Sequence, residues 1–272
     1  MASFKPLKPH EINVDTIKFA PIKKLDNGAN IMYMNYNGSS IYTTTPEFNI
    51  TFDGKYWPDG DTSGKWPIKV NLDKNDKFTK FVSDLDSFLK AEAMKNSVQW
   101  FKKKNMSMET IETLYVPQIK EDLDPETGEP TGKYPPGFQF KIVKRDDKVA
   151  CKVYGKDKVE YNVNDPSADN YTNLDDLLKK GATVKLLLKC NGVWIANGKF
   201  GCTWRAEQMK ITPVETFDDC VLDDSDEEDI EKIDRNFIDS DDTEEDEDED
   251  EAEEEPEPEV KAKKTRKVKK KN

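Results

Sequence analysis

Histidine is almost missing from this 272-residue sequence: His10 stands alone. The four cysteines, Cys151, Cys190, Cys202 and Cys220, show no CxxC spacing. A Cys/His zinc site therefore has no ligand set, and no histidine–carboxylate pair offers itself for base catalysis. There is no G-x-S-x-G. The stretch Gly192–Lys199 has one residue too many between its glycines for a phosphate loop, and Phe200 stands where magnesium needs a hydroxyl. Carboxylates abound, yet none is spaced as a metal motif. The chain reads as a non-enzyme, with no catalytic residue, metal or cofactor expected. Long apolar runs are lacking too: no 18 apolar residues are consecutive, and Met1–His10 holds no apolar signal core. A soluble protein, neither secreted nor membrane-borne and with reduced thiols, is expected.

Charge is what the chain has in excess, and it is segregated. Val214–Val260 carries 27 acids against two bases, and Lys261–Asn272 carries eight bases and no acid. The net charge of −13 thus conceals a first part, residues 1–213, that is near +4. Three divisions follow: a folded domain over 1–213, an acidic tail over 214–260 and a basic segment over 261–272. The tail is too acidic to bury a core and should be disordered. Leu222, Ile230, Ile233, Phe237 and Ile238 give it a weak apolar rhythm, the pattern of a segment that orders on a partner, although chance spacing gives the same rhythm.

Four Asn-Gly pairs punctuate the folded part, and each supplies the positive φ of a two-residue hairpin turn. Those at Asn27 and Asn37 divide a meander of Ile17–Leu25, Ala29–Asn35 and Ser40–Thr45. Short strands are expected at Phe48–Phe52 and Pro67–Leu72 around a loop from Asp53 to Lys65. Asp76–Lys104 is the clearest helix, with Phe78, Phe81, Val82, Leu85, Phe88 and Leu89 on one stripe. Leu114–Ile119 reads as a strand, Phe138–Lys144 with Lys148–Tyr154 as a hairpin, and Thr172–Lys180 as a short helix. Turns at Asn191-Gly192 and Asn197-Gly198 then predict three strands, Thr183–Cys190, Val193–Ala196 and Lys199–Ile211, the last bulged at Gly201. The fold class is mainly β with one long and one short helix.

The last three strands mix rings with cations. Aromatics among lysines and arginines suit stacked bases and their phosphates. Trp194, Phe200 and Trp204 are the stacking candidates, with Tyr134 and Phe140 behind them. Lys185, Lys189, Lys199, Arg205 and Lys141 are the candidate phosphate contacts. The plainer alternative makes the same rings core and the cations a solvated face. Alternation alone places Trp194 opposite Val193 and Ile195, and puts Phe200, Cys202 and Trp204 on one face.

The run Gly192-Val193-Trp194, Gly198-Lys199-Phe200-Gly201, Thr203-Trp204-Arg205 and Gln208 resembles the C-terminal signature of single-stranded DNA-binding proteins of large eukaryotic DNA viruses. That family is similar to the phage replication single-strand binders. The resemblance implies an OB-like antiparallel Greek-key barrel, single-stranded DNA as ligand, and an acidic tail that engages polymerase, helicase or primase. It places the chain in the host nucleus or a cytoplasmic viral factory and is compatible with a homo-oligomer. The 59 residues from Val214 to Asn272 reach ~40–45 Å as a flexible chain, against a radius of gyration of ~17 Å for the folded part. A polyacid of that reach can compete with DNA for a basic surface. The ending K-A-K-K-T-R-K-V-K-K-K-N departs from the acidic, aromatic ending of the phage proteins, and reads as an import signal or a further DNA contact. The rival is an acidic-tailed chaperone of histones or other basic proteins.

Overall fold

A period of two decides the strands. In Lys65–Asn71, Trp66, Ile68 and Val70 are buried while Lys65, Pro67 and Lys69 are exposed. The computed structural model describes residues 5–51 and 64–214. Residues 53–63 of the expected loop, 215–260 of the acidic tail and the basic terminus fall outside the described residues, and Lys65, expected as the end of that loop, begins a strand.

The chain runs through β1 (Lys18–Phe19), β2 (Lys23–Lys24), β3 (Asn30–Met32), β4 (Met34–Tyr36), β5 (Ser39–Ser40), β6 (Tyr42–Asn49) and β7 (Lys65–Asn71). The helices α1 (Lys77–Lys95), α2 (Ser97–Phe101) and α3 (Met108–Leu114) come next. Then follow β8 (Tyr115–Val116), β9 (Ile119–Lys120), β10 (Gly137–Arg145), β11 (Lys148–Val149) and β12 (Lys152–Tyr154). A single turn, α4 (Leu174–Leu177), leads to the long hairpin β13 (Thr183–Ala196) and β14 (Lys199–Thr212).

Five of these strands form a ring. β13 is antiparallel to β6 and to β14, β10 is antiparallel to β7, and β10 meets β14 in parallel at Lys141 and Arg205. The bridge between Ile50 and Val70 returns the end of β6 to β7. The order β6-β7-β10-β14-β13 is the Greek-key barrel of the OB type, with one parallel pairing where an all-antiparallel barrel was expected.

The helices cover the apolar face of this ring. Asp76 caps α1 by accepting from the Phe78 amide, and Phe78, Phe81, Val82, Leu85 and Leu89 are buried along one stripe. Phe78 meets Phe48 and Phe138 edge to face, and Phe81 meets Trp204. The helix expected over Asp76–Lys104 is two, because the chain breaks at Asn96 and α2 stops where Lys102 turns left-handed at φ 61°. Ser107 caps a further helix, α3, that was not expected from the sequence and that takes in Leu114, expected as the start of a strand. The expected Thr172–Lys180 helix shortens to the turn α4.

The Asn-Gly pairs divide. At Asn197-Gly198 both residues have positive φ and close the hairpin as expected. At Asn191-Gly192 there is no turn: β13 runs straight through, and Asn191 is the extra residue of a bulge. Gly192 is required for a different reason. A Cβ there would overlap the Met32 carbonyl oxygen and lie 2.9 Å from its carbon, where β3 crosses close to the bulge. The bulge expected at Gly201 is absent too: Gly201 pairs regularly with Trp194, and the irregularity in β14 lies between Ala206 and Gln208.

Candidate nucleic-acid interface

Because core residues alternate with the rest, the non-core face of the ring can be read strand by strand. Directly across neighbouring strands stand Pro67, Lys141, Arg205, Lys189 and Tyr42. Three cations are thus consecutive neighbours in one row, with a proline at one end and a tyrosine at the other. Further along β14 come Gln208 beside Leu187 and Lys152, then Lys210 beside Lys185 and Tyr154. In the opposite direction lie Thr203 beside Gly192, then Gly201 beside Trp194.

The cations of the row differ in their surroundings. Lys141 is half-buried, and its pKa is lowered first by that burial and then by the charge of Lys65. Arg205 donates from Nε to Glu207, the residue squeezed out in the β14 bulge. Lys189 places Nζ 5.0 Å from the centre of the Tyr42 ring. A bound polyanion would relieve the repulsion on Lys141.

Trp194 is half-buried on this face, and its setting is specific. A Cβ at residue 201 would lie 3.1 Å from Trp194 Cζ2 and 3.0 Å from the Val116 carbonyl oxygen. Glycine at 201 lets the indole lie over the strand. At the other margin an open cleft of about 810 Å³ is lined by Lys69, Lys120, Lys180, Gln139 and Tyr134 together with the acids Glu121 and Asp122. Tyr134 is 60% exposed there.

Solved structures that bear likeness to this chain include two phage proteins. The single-stranded DNA-binding protein of bacteriophage Enc34, in complex with single-stranded DNA, is 13% identical with a TM-score of 0.39, over 73% of this chain and 97% of that one. The single-stranded DNA-binding protein of bacteriophage T7 is 12% identical with a TM-score of 0.39, over 75% of this chain and 100% of that one. No protein-family model and no curated protein matches.

The expected site residues separate into two groups. Phe200, Trp204 and Phe140 are core, and stacking on them is corrected: each is at most 1% exposed. Phe200 is enclosed by Trp100, Phe101 and Tyr115. Trp204 spends its one donor on Gln118 Oε1, and Phe140 shares the buried phase of β10. The even-numbered residues from 200 to 206 face the helices, and that phase decides it. The structure brings Trp194, Lys141, Lys189, Arg205 and Lys185 onto the opposite face, with Lys199 exposed at its hairpin end and Tyr134 in the marginal cleft.

Tyr42, Lys65, Pro67, Lys69, Lys152 and Lys210 share that face and were missed. The signal for three of them was K-W-P-I-K-V-N itself, whose odd positions are all polar or proline. Starting the strand at Pro67 hid it. Among the described residues, Cys151, Cys190 and Cys202 are buried free thiols, and burial pushes the Cys202 thiol up.

Proposed function

We propose that this chain is a non-catalytic single-stranded DNA-binding protein of DNA replication, recombination or repair, viral in origin. The observation that carries the reading is the cation row Lys141–Arg205–Lys189, bracketed by Pro67 and Tyr42 and sharing its face with Trp194. Phosphates lie along the row, displacing counterions, while bases stack on Trp194 and Tyr42, each worth ~1–3 kcal/mol. Every base has a ring face, so such contacts hold a strand of any sequence.

The acidic tail completes the mechanism. Its polyacid occupies the same row when DNA is absent, and a strand displaces it because bases stack and carboxylates cannot. The released tail is then free for polymerase, helicase or primase. Fluorescence anisotropy with labelled oligo-dT tests the reading: tight, salt-sensitive binding is expected, and weak binding beside firm capture of histones would favour the chaperone, to which the 27 acids of the tail also lend themselves.

A further inference from the structure

On the helix side of the β13–β14 hairpin lies a second surface, an open groove of about 520 Å³. Its floor is apolar: Ile22, Trp100, Phe101, Leu114 and Ile195. Lys24, Lys102 and Lys103 also line it, all three exposed, and among the described residues no acid does. Ile195 points to the buried side of β13 while its neighbour Trp194 points to the other, so the groove and the cation row lie on opposite faces. The groove's rings are packed edge to face against one another and Phe200, and the aliphatic Ile22, Leu114 and Ile195 line it beside them. An apolar floor among lysines fits an acidic peptide that carries aliphatic side chains better than it fits a nucleic-acid strand.

The chain encodes such a peptide. Between Leu222 and Ile238, the residues Leu222, Ile230, Ile233, Phe237 and Ile238 are set among acids, ahead of the nearly pure polyacid that follows. Chain length favours delivery by another molecule. The groove lies at the Gly198 end of β14, and the chain leaves from the other end of that 14-residue strand, up to ~40–45 Å away if the strand is straight. Eight residues from 214 to 222 span at most ~29 Å fully extended. The 16 to 24 residues to 230–238 can cover that distance only when stretched well beyond the ~20–30 Å that they average as a flexible chain.

We infer that the groove receives the 222–238 segment of a second copy of this chain, linking molecules head to tail through an interface separate from the DNA face. This goes beyond the proposed function and does not depend on it.

Analytical ultracentrifugation of the full chain tests the inference, with two variants that complement each other. K24E/K102E/K103E reverses the charge of the groove, and L222S/I230S/I233S/F237S/I238S removes the five apolar residues of the segment. The wild type should self-associate with rising concentration, each variant alone should sediment as a monomer, and their equimolar mixture should recover a dimer, because one supplies the segment and the other the groove. A wild type monomeric throughout, a groove variant that still associates, or a mixture that stays monomeric would each overturn the proposal. Thermal melting checks that the variants fold, and K24Q/K103Q repeats the groove test without charge reversal. Affinity for a short oligo-dT should be the same in both variants and the wild type. If the groove variant loses oligo-dT and keeps its self-association, the groove takes DNA and the inference is wrong.

Discussion

Trp194 and Trp204 stand ten residues apart on adjoining strands, and a single step of phase gives them different work. Trp204→Ala removes a sealed indole and leaves Gln118 Oε1 without its donor, so a loss of ~3–5 kcal/mol in stability is expected by chemical denaturation. Trp194→Ala should leave the denaturation midpoint nearly unchanged and weaken oligo-dT by ~1–3 kcal/mol in anisotropy. Lys141 couples the two quantities. Its pKa is lowered, so the unfolded state binds more protons than the folded one between that lowered value and the ordinary lysine range. Stability from this group therefore rises with pH through that window. Lys141→Met should raise the melting temperature at neutral pH, since it removes a crowded, desolvated charge. It should also weaken DNA binding and flatten the salt dependence of log K by ~0.7 for each phosphate left without its cation. A variant that gains stability while losing affinity is the mark of a cation kept for its ligand.

At the scale of elements, glycine and a buried carboxylate hold the pieces together. Gly192→Ala places a Cβ against the Met32 backbone at a residue with φ +95°, and should cost ~2–5 kcal/mol by separating β3 from β13. Asp86 on α1 accepts from the Tyr115 hydroxyl and from both the amide and the side chain of Gln118, which in turn accepts from Trp204. Asp86→Asn turns an acceptor into a donor facing donors, with an expected loss of ~1–3 kcal/mol in urea. Burial raises the Asp86 pKa, so the stability it contributes falls as pH rises through the window above the ordinary aspartate range. These elements differ in how far they were legible beforehand. The α1 stripe and the Asn197-Gly198 hairpin declare themselves locally, through periodicity and turn chemistry. Asn191-Gly192 carries the same turn signal, but what it answers to is the backbone of β3, about 160 residues earlier in the chain. Phe200 and Trp204 were correctly seen to share a face, yet only the packing of α1 on Trp204 and of α2 and β8 on Phe200 decides which face is inside, and those are long-range interactions no strand pattern contains.

For the whole molecule, the proposed function and the inference assign three roles to three places: DNA to the barrel's non-core face, competition to the tail's polyacid, and self-association to the helix-side groove. Removing Val214–Asn272 should tighten oligo-dT binding at low salt, with the gain vanishing as salt screens the polyacid. Equal affinities at low salt would discard competition and leave the DNA face untouched. The proposed function stands or falls on whether the outer row of the barrel, and not its buried rings, holds the strand. An oligo-dT anisotropy titration of the triple variant K141M/K189M/R205M beside the wild type, both confirmed folded by circular dichroism, decides that point. A folded triple variant should lose affinity by orders of magnitude, and its salt slope should drop by about 2. Wild-type affinity and slope in that variant would show that the strand is held elsewhere.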